Sequence, residues 1–211
     1  PLNAITGFAE ILASANTEEE KAQYQEIIKM NADLLLQLVN DILDMSKIEA
    51  GTLEFVYTKV DINLLLSDLR QLFQMRVNDA GKNIWIIAEP SLPSCSIETD
   101  RNRVAQVLSN FTTNAIKFTQ EGTICIGYEA RDTELHFYVT DSGAGIPADK
   151  LPEVFGRFVK LNKDKKGTGL GLSISKTIVN KLEGQIGADS VEGKGSTFWF
   201  TIPYRTCGRP E

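Results

Sequence analysis

Apolar residues return every seven positions between residues 24 and 45. Ile28, Leu35 and Ile42 form one row, and Tyr24, Asn31, Leu38 and Met45 form a second. Two such rows, widened by Ile27, Leu34 and Val39, require a long amphipathic helix and exclude a strand, whose side chains alternate with a period of two. Upstream, Ile5, Phe8 or Ala9, and Leu12 share one face of a shorter helix. Between the two, Thr17 and Glu20 stand at capping-box spacing and start the second helix. Residues 1–50 therefore read as a helical hairpin. Its apolar stripe is wider than one partner helix covers, so the hairpin is expected to form a dimeric four-helix bundle. The alternative is that it packs on the remainder of its own chain. Asn31, at a seam position, would set register at some cost in stability.

Beyond Gly51, which suits a helix C-terminal cap, the pattern changes. "TLEFVYTKV" reads as a short extended segment. Asp61 caps a helix with Ile62, Leu65, Leu66, Leu69, Leu72 and Phe73 inward, ending before Gly81. "NIWIIAE" is a strand stopped by Pro90. Asp100 caps another helix running to about Thr119. "TICIGYEA" and "ELHFYVT" are strands joined by a tight turn at Arg131–Thr133, and Ser173 to Glu183 is a helix closed by Gly184. "QIGADS" and "STFWFTIP" form a last hairpin around Gly193–Gly195. Helices and strands in this mixed order, with several hairpins, predict an α+β chain: the hairpin, then an α/β sandwich with a mixed sheet and helices on one face. The expected units are 1–50, 51–205 and a tail, 206–211.

Composition narrows the function classes. Hydrophobic residues make up 42%, enough for a core. No apolar run approaches the roughly 20 residues of a membrane span, and no signal-peptide pattern opens the chain. The chain begins at Pro1, so it is expected to be part of a longer protein, with any membrane segment elsewhere. The net charge is −6, and residues 1–50 hold nine acids against three lysines, which argues against a nucleic-acid partner. Cys95, Cys125 and Cys207 are far apart with no CxxC, which argues for a reducing compartment and against a zinc site.

Candidate chemistry lies in four places. On the helix from Asp100, Val104, Val107, Leu108, Phe111 and Ala115 line one face, and Asn110, Asn114 and Lys117 line another. Asn is a poor helix former, so two of them in mid-helix ask for a reason. Amide oxygens suit Mg²⁺ and an ammonium suits phosphate, although a solvated face explains the stripe equally well. "TDSGAGIP" places Asp141 at a strand end before Gly143, Gly145 and Pro147. The carboxylate can accept from an amine such as N6 of adenine, and an Asx-type turn is the plainer alternative. "VFGRFVKL" sets Arg157 between Phe155 and Phe158, as an ordinary surface arginine would also stand. "KKGTGLGLSI" alternates Gly167, Gly169 and Gly171 directly before a helix N-terminus, where free N–H groups attract anions. It is neither a Walker loop nor a dinucleotide fingerprint, since Leu172 stands where the third glycine of the latter belongs. "EGKGSTFWF", with Gly193 and Gly195, is by itself a hairpin.

Taken in order, these segments resemble the core of a sensor histidine kinase. "NFTTNAIKFT" looks like the family's N box, "DSGAGIP" its first glycine box, "FGRF" its F box, "GTGLGL" its second glycine box and "GKGSTF" its third. "PLNAITGFAEIL" resembles the segment after the phosphoacceptor histidine, and "DMSKIEAG" the end of the second dimerisation helix. The resemblance covers residues 1 to about 204. It implies a dimerisation hairpin followed by the Bergerat ATP-binding sandwich shared with gyrase, Hsp90 and MutL. By position, Asn114 would hold Mg²⁺, Asn110 would lie beside the phosphates and Lys117 would contact them. Phe118 would pack near the adenosine. Asp141 would take the adenine amine in a pocket shaped by Gly143 and Gly145. Gly167, Gly169 and Gly171 would let a lid, about residues 156–168, close over the phosphates. Thr197 would reach adenine through water, and Arg157 would reach the γ-phosphate during transfer.

The implied function is phosphoryl transfer from Mg·ATP to a histidine, then to an aspartate on the receiver domain of a response regulator. The implied setting is a homodimer through residues 1–50 in the cytoplasm, tied to a membrane only by segments outside the chain. The family's acceptor histidine lies five residues before the proline that is Pro1 here, so self-labelling is not expected. The single histidine, His136, reads as a surface strand residue. Two other functions compete: an ATP-binding scaffold that transfers nothing, and a gyrase- or Hsp90-type ATPase. The latter carries a glutamate base at the position of Asn110, and an amide has no base function.

Overall fold

The computed structural model describes residues 1–159 and 168–204. The chain divides into two compact units, one built on Pro1–Leu53 and the other beginning at Glu54.

The first unit is a hairpin of α1 (Leu2–Leu12) and α2 (Glu18–Glu49). Thr17 Oγ1 accepts from Glu20 N at 3.2 Å, and the Glu20 carboxylate returns to Thr17 N at 3.3 Å, so the capping box closes in both directions. Glu18, Glu19 and Glu20 place negative charge at the positive end of the helix dipole. At the other end Gly51 adopts φ +68°. Its N–H reaches Ile48 O and that of Thr52 reaches Lys47 O, the paired bonds of a glycine-terminated helix. Phe8 and Tyr24 join the two helices, with ring centroids 5.8 Å apart. No apolar side chain of α1 or α2 is buried. Asn31 does not leave its amide free on the seam, because its Nδ2 donates to Ile27 O one turn back at 2.8 Å.

The second unit carries the sandwich. Its elements are β1 (Thr58–Asp61), α3 (Ile62–Asp79), β2 (Ile84–Pro90), β3 (Ser96–Thr99), α4 (Arg101–Phe118), β4 (Gly122–Ala130), β5 (Glu134–Asp141), α5 (Gly171–Lys181), β6 (Ile186–Val191) and β7 (Gly195–Pro203). A five-stranded sheet runs in the order β2-β4-β5-β7-β6, and β1 pairs with β3 in a separate ribbon. Only β2 and β4 are parallel, so the sheet is mixed. Helices α3, α4 and α5 pack against it. Alternation along β5 sends Leu135, Phe137, Val139 and Asp141 to the helix-covered face and His136, Tyr138 and Thr140 to the other. The core is aromatic where α4 meets the sheet, with Phe111 5.5 Å from Phe198 and 6.0 Å from Phe200, centroid to centroid.

Both aspartate caps are present. Asp61 accepts from Leu64 N. Asp100 accepts from Asn102 N and Arg103 N through one oxygen, and from Val56 N through the other. Four details differ from the sequence expectation. Leu72 lies at the margin of the α3 stripe and stays exposed, while Val77 is buried in its place. The extended segment after Gly51 pairs only over Thr58–Asp61. Its partner β3, four residues between Pro93 and Asp100, is too short to show a period. Helix α5 begins at Gly171, two residues ahead of Ser173.

Candidate nucleotide site

Strand β5 ends on Asp141, which alternation turns inward beneath the helices, and its carboxylate is almost wholly buried. Its Oδ1 accepts from Gly143 N at 2.8 Å. Burial pushes the carboxyl above its usual range, and the backbone N–H groups of Gly143 and Ser196 oppose that shift. The loop that follows is held close. A Cβ on Gly143 would stand 2.7 Å from Phe118 O and 2.9 Å from Thr119 Oγ1. Gly145 has φ +67°, and a Cβ there would collide with Val191 O. The loop is also tied to the β6–β7 hairpin, since Ser190 Oγ accepts from Ile146 N and Gly193 N donates to Ala144 O. Ser190 in turn bonds Ser196 and the Gly195 carbonyl.

Sequence reasoning singled out Thr197 for this group, and the structure does not bring it there. Thr197 lies on the opposite face of the sheet, its Oγ1 2.9 Å from that of Thr140. The residue opposite Asp141 in the β5–β7 ladder is Ser196, which is buried. A slip of one residue along a strand exchanges the two faces. The signal was available: Phe198, Phe200 and Ile202 are the inward residues of β7, and Ser196 shares their parity. Ser190 had no such signal, because its role depends on a loop 44 residues away folding over it.

The other half of the site is the polar stripe of α4. Asn110, Asn114 and Lys117 are half-buried along it. Lys117 Nζ sits 5.1 Å from the centre of the Phe118 ring, within cation–π range. Asn110 Nδ2 donates to Gly171 O and to Ser175 Oγ, both at 3.1 Å, which joins the stripe to the start of α5. That start has no side-chain cap: Leu170 is the N-cap residue, and Ser173 Oγ donates to Leu170 O rather than accepting from the free N–H groups. An uncapped helix N-terminus beside two amides and an ammonium is suited to an anion. Just upstream, Gly169 has φ +75°, and Phe158 N bonds to its carbonyl at 2.9 Å. A Cβ on Gly169 would press on Phe158 at 3.0 Å. Phe155 packs edge-on against Phe198, whereas Arg157 and Phe158 are exposed. Gly167, and with it most of the expected lid, lies outside the described residues.

Among the described residues, no group of three or more His, Cys, Asp or Glu side chains is placed to hold a metal ion. Asn114 and the Asn110 oxygen would be the protein's donors to Mg²⁺. That small set fits an ion which takes most of its ligands from phosphate and water.

Residues 99–206 match the family described as histidine kinase-, DNA gyrase B- and HSP90-like ATPase, and residues 1–51 match the His Kinase A (phospho-acceptor) domain. The chain belongs to the histidine kinases. Among its relatives, the aerobic respiration control sensor protein ArcB of Escherichia coli K12 is 37% identical over 96% of the chain. Full-length ShkA in complex with AMPPNP superposes with a TM-score of 0.79 at 33% identity, over all of this chain and 44% of that one. Histidine kinase ThkA in complex with the response regulator TrrA gives a TM-score of 0.72 at 29% identity, over 97% of this chain and 57% of that one. The chain spans about a quarter of the length of ArcB, 27%. No helix among its described residues is long and apolar enough to cross a membrane.

Proposed function

We propose that this chain is the catalytic core of a sensor histidine kinase, which binds Mg·ATP and positions its γ-phosphoryl for transfer to a histidine and then to a response-regulator aspartate. The observation that carries the reading is the joining of two chemically distinct ends on one scaffold. A buried carboxylate, Asp141, lies behind the "DSGAGIP" turn, and the Asn110–Asn114–Lys117 stripe meets the uncapped start of α5. A purine amine suits the first end and a polyphosphate the second.

In this reading Asp141 accepts from the exocyclic amine of adenine, with Ser196 beside it. Gly143 and Gly145 keep the loop flat enough for the base. Lys117 and the α5 N–H groups neutralise phosphate charge, and Arg157 approaches the γ-phosphate. Mg²⁺, held by Asn114, would supply charge neutralisation on the phosphates. Positioning and electrostatics are the chain's whole task in such a transfer. Asn110 bears on what is transferred, because an amide cannot take a proton from water, so hydrolysis is slow and a placed acceptor is favoured. His136 is not that acceptor: its ring stacks on Trp199 at 5.3 Å, and burial, then Arg131, push its imidazole below the usual range.

The unburied stripe of α1 and α2 supports a homodimer through the hairpin. The ThkA complex supports a receiver domain as partner. A cytoplasmic setting follows from the same function. Calorimetry tests the core of the reading: the chain takes up ATP and not GTP, because guanine presents a carbonyl where adenine presents its amine. Equal uptake of both nucleotides, or of neither, would overturn it.

A further inference from the structure

The Asn110 amide carries two hydrogens, and each has a partner. One points to the Gly171 carbonyl and the other to the Ser175 hydroxyl, both at 3.1 Å. Gly171 and Ser175 are one helical turn apart on α5, so the helix presents two neighbouring acceptors to a single amide. The Gly171 carbonyl can only accept. Turning the amide over would set oxygen against oxygen, and this fixes which end of Asn110 faces α5. Gly171 also lies flat against the group, since a Cβ there would stand 3.4 Å from Asn110 Cγ and 3.5 Å from its oxygen. Ser175 has no exposed surface, so no bulk water can replace its hydroxyl.

We propose that Ser175 is a positioning residue: its buried hydroxyl, with the Gly171 carbonyl, holds the Asn110 amide so that its oxygen alone is presented to the nucleotide. The consequence is specific. With both hydrogens committed to α5, Asn110 has none to donate to a phosphate oxygen. It acts as an acceptor, toward the cation or its water, and its contribution to affinity depends on the metal. The inference rests on the ATP-binding reading above and adds a residue that none of the glycine or asparagine motifs contains. A serine in the apolar run "GLSISKTIV" looks like an ordinary small core residue until the contact with α4 is formed.

Calorimetric titration with ATP, in Mg²⁺ and again in EDTA, tests this on the intact chain. In Ser175→Ala the amide keeps its anchor on the Gly171 carbonyl but its second hydrogen loses its partner, so the group is held less tightly. Affinity for Mg·ATP falls about threefold to tenfold, the worth of one net hydrogen bond, while affinity for metal-free ATP and for adenosine stays at the wild-type value. In Asn110→Ala the further change Ser175→Ala costs nothing more, because the group it holds is gone. The side-chain NH₂ of Asn110, followed by NMR, exchanges slowly with solvent in the wild type and faster in Ser175→Ala. The inference is overturned if Ser175→Ala binds Mg·ATP as the wild type does, if adenosine is weakened equally, or if the two substitutions lose affinity independently. A wild-type chain that takes up no ATP would overturn the site reading itself. Wild-type binding with an unaffected Ser175→Ala overturns this inference alone.

Discussion

The hairpin and the sandwich are both patterned with leucine, isoleucine and phenylalanine, yet they treat those residues in opposite ways. In the hairpin, Leu36, Ile42 and Leu43 are 62, 54 and 53% exposed. In the sandwich, Leu108, Phe111 and Phe137 have no exposed surface at all. Burying one such side chain is worth about 1.5–3 kcal/mol, so the sandwich closes a core of its own while the hairpin leaves much of its apolar stripe open. Two helices have only one face each to offer the other. Three helices on a five-stranded sheet close a volume.

The comparison can be broken most severely in the sandwich. Phe111→Ala removes the ring between Phe198 and Phe200 and costs about 3–5 kcal/mol, read as a lower denaturant midpoint for the sandwich. The same experiment on Ile42→Ala leaves that midpoint unchanged. A single shared loss in both variants would show that the two units do not differ as described.

Next in size is the test of the homodimer proposed for the hairpin. Leu35→Lys places a charge on the seam, where an unpaired buried charge is costly. Sedimentation at increasing concentration then shows a monomer where the wild type associates, with the thermal transition of the sandwich unmoved. Association that survives the charge would place the dimer contact elsewhere.

Asp141→Asn sharpens the comparison inside the sandwich, where the function proposed for this buried group is to serve a ligand rather than the fold. Losing a charge-assisted bond costs about 1.5–3 kcal/mol of ATP binding, or roughly tenfold to a hundredfold in affinity. Its effect on the empty protein has the opposite sign. The folded carboxyl titrates above its ordinary value, so the protonated acid is the form the fold prefers. The stabilisation is complete below the unfolded pKa and is lost as pH rises through the folded one. At neutral pH the ionised group is a burden on the empty domain. The asparagine variant therefore melts higher than wild type at pH 7, and the difference closes as the pH is lowered toward the acid range. A variant that melts lower at pH 7 would mean the carboxylate serves the fold.

The smallest effect is local. Thr17→Ala removes one side of the capping box and costs about 1 kcal/mol of hairpin helicity by circular dichroism, with ATP affinity unchanged. A change in ATP affinity would tie the cap to the nucleotide site.

Much of the fold was legible because its signals are local. Thr17 with Glu20, Asp61 and Asp100 are caps, and a cap is a bond between residues two or three apart. The inward faces of α4 and β5 follow from their periods. What was not legible shares a physical cause. Leu72 sits at the edge of its stripe, where a helical wheel cannot say how far the sheet reaches. Strand β3 has four residues and depends on β1 for its existence. Thr197 and Ser196 are neighbours with similar side chains; parity with Phe198, Phe200 and Ile202 turns Ser196 inward, but only the β5–β7 register sets it opposite Asp141.

By itself the amino-acid sequence determined the chain's division into two parts: a seven-residue repeat with a wide apolar stripe, followed by caps, turns and glycines whose order is that of the histidine kinase family. Those properties reside in spacing along the chain, and spacing survives without a fold. Only the tertiary structure decided that Ser196 is the residue paired with Asp141, that Ser190 ties the "DSGAGIP" loop to a distant hairpin, and that Ser175 holds Asn110. Each of these is a hydrogen bond or ladder pairing between residues 44 to 65 positions apart. Such a bond exists only once burial has removed the water that would otherwise satisfy both partners.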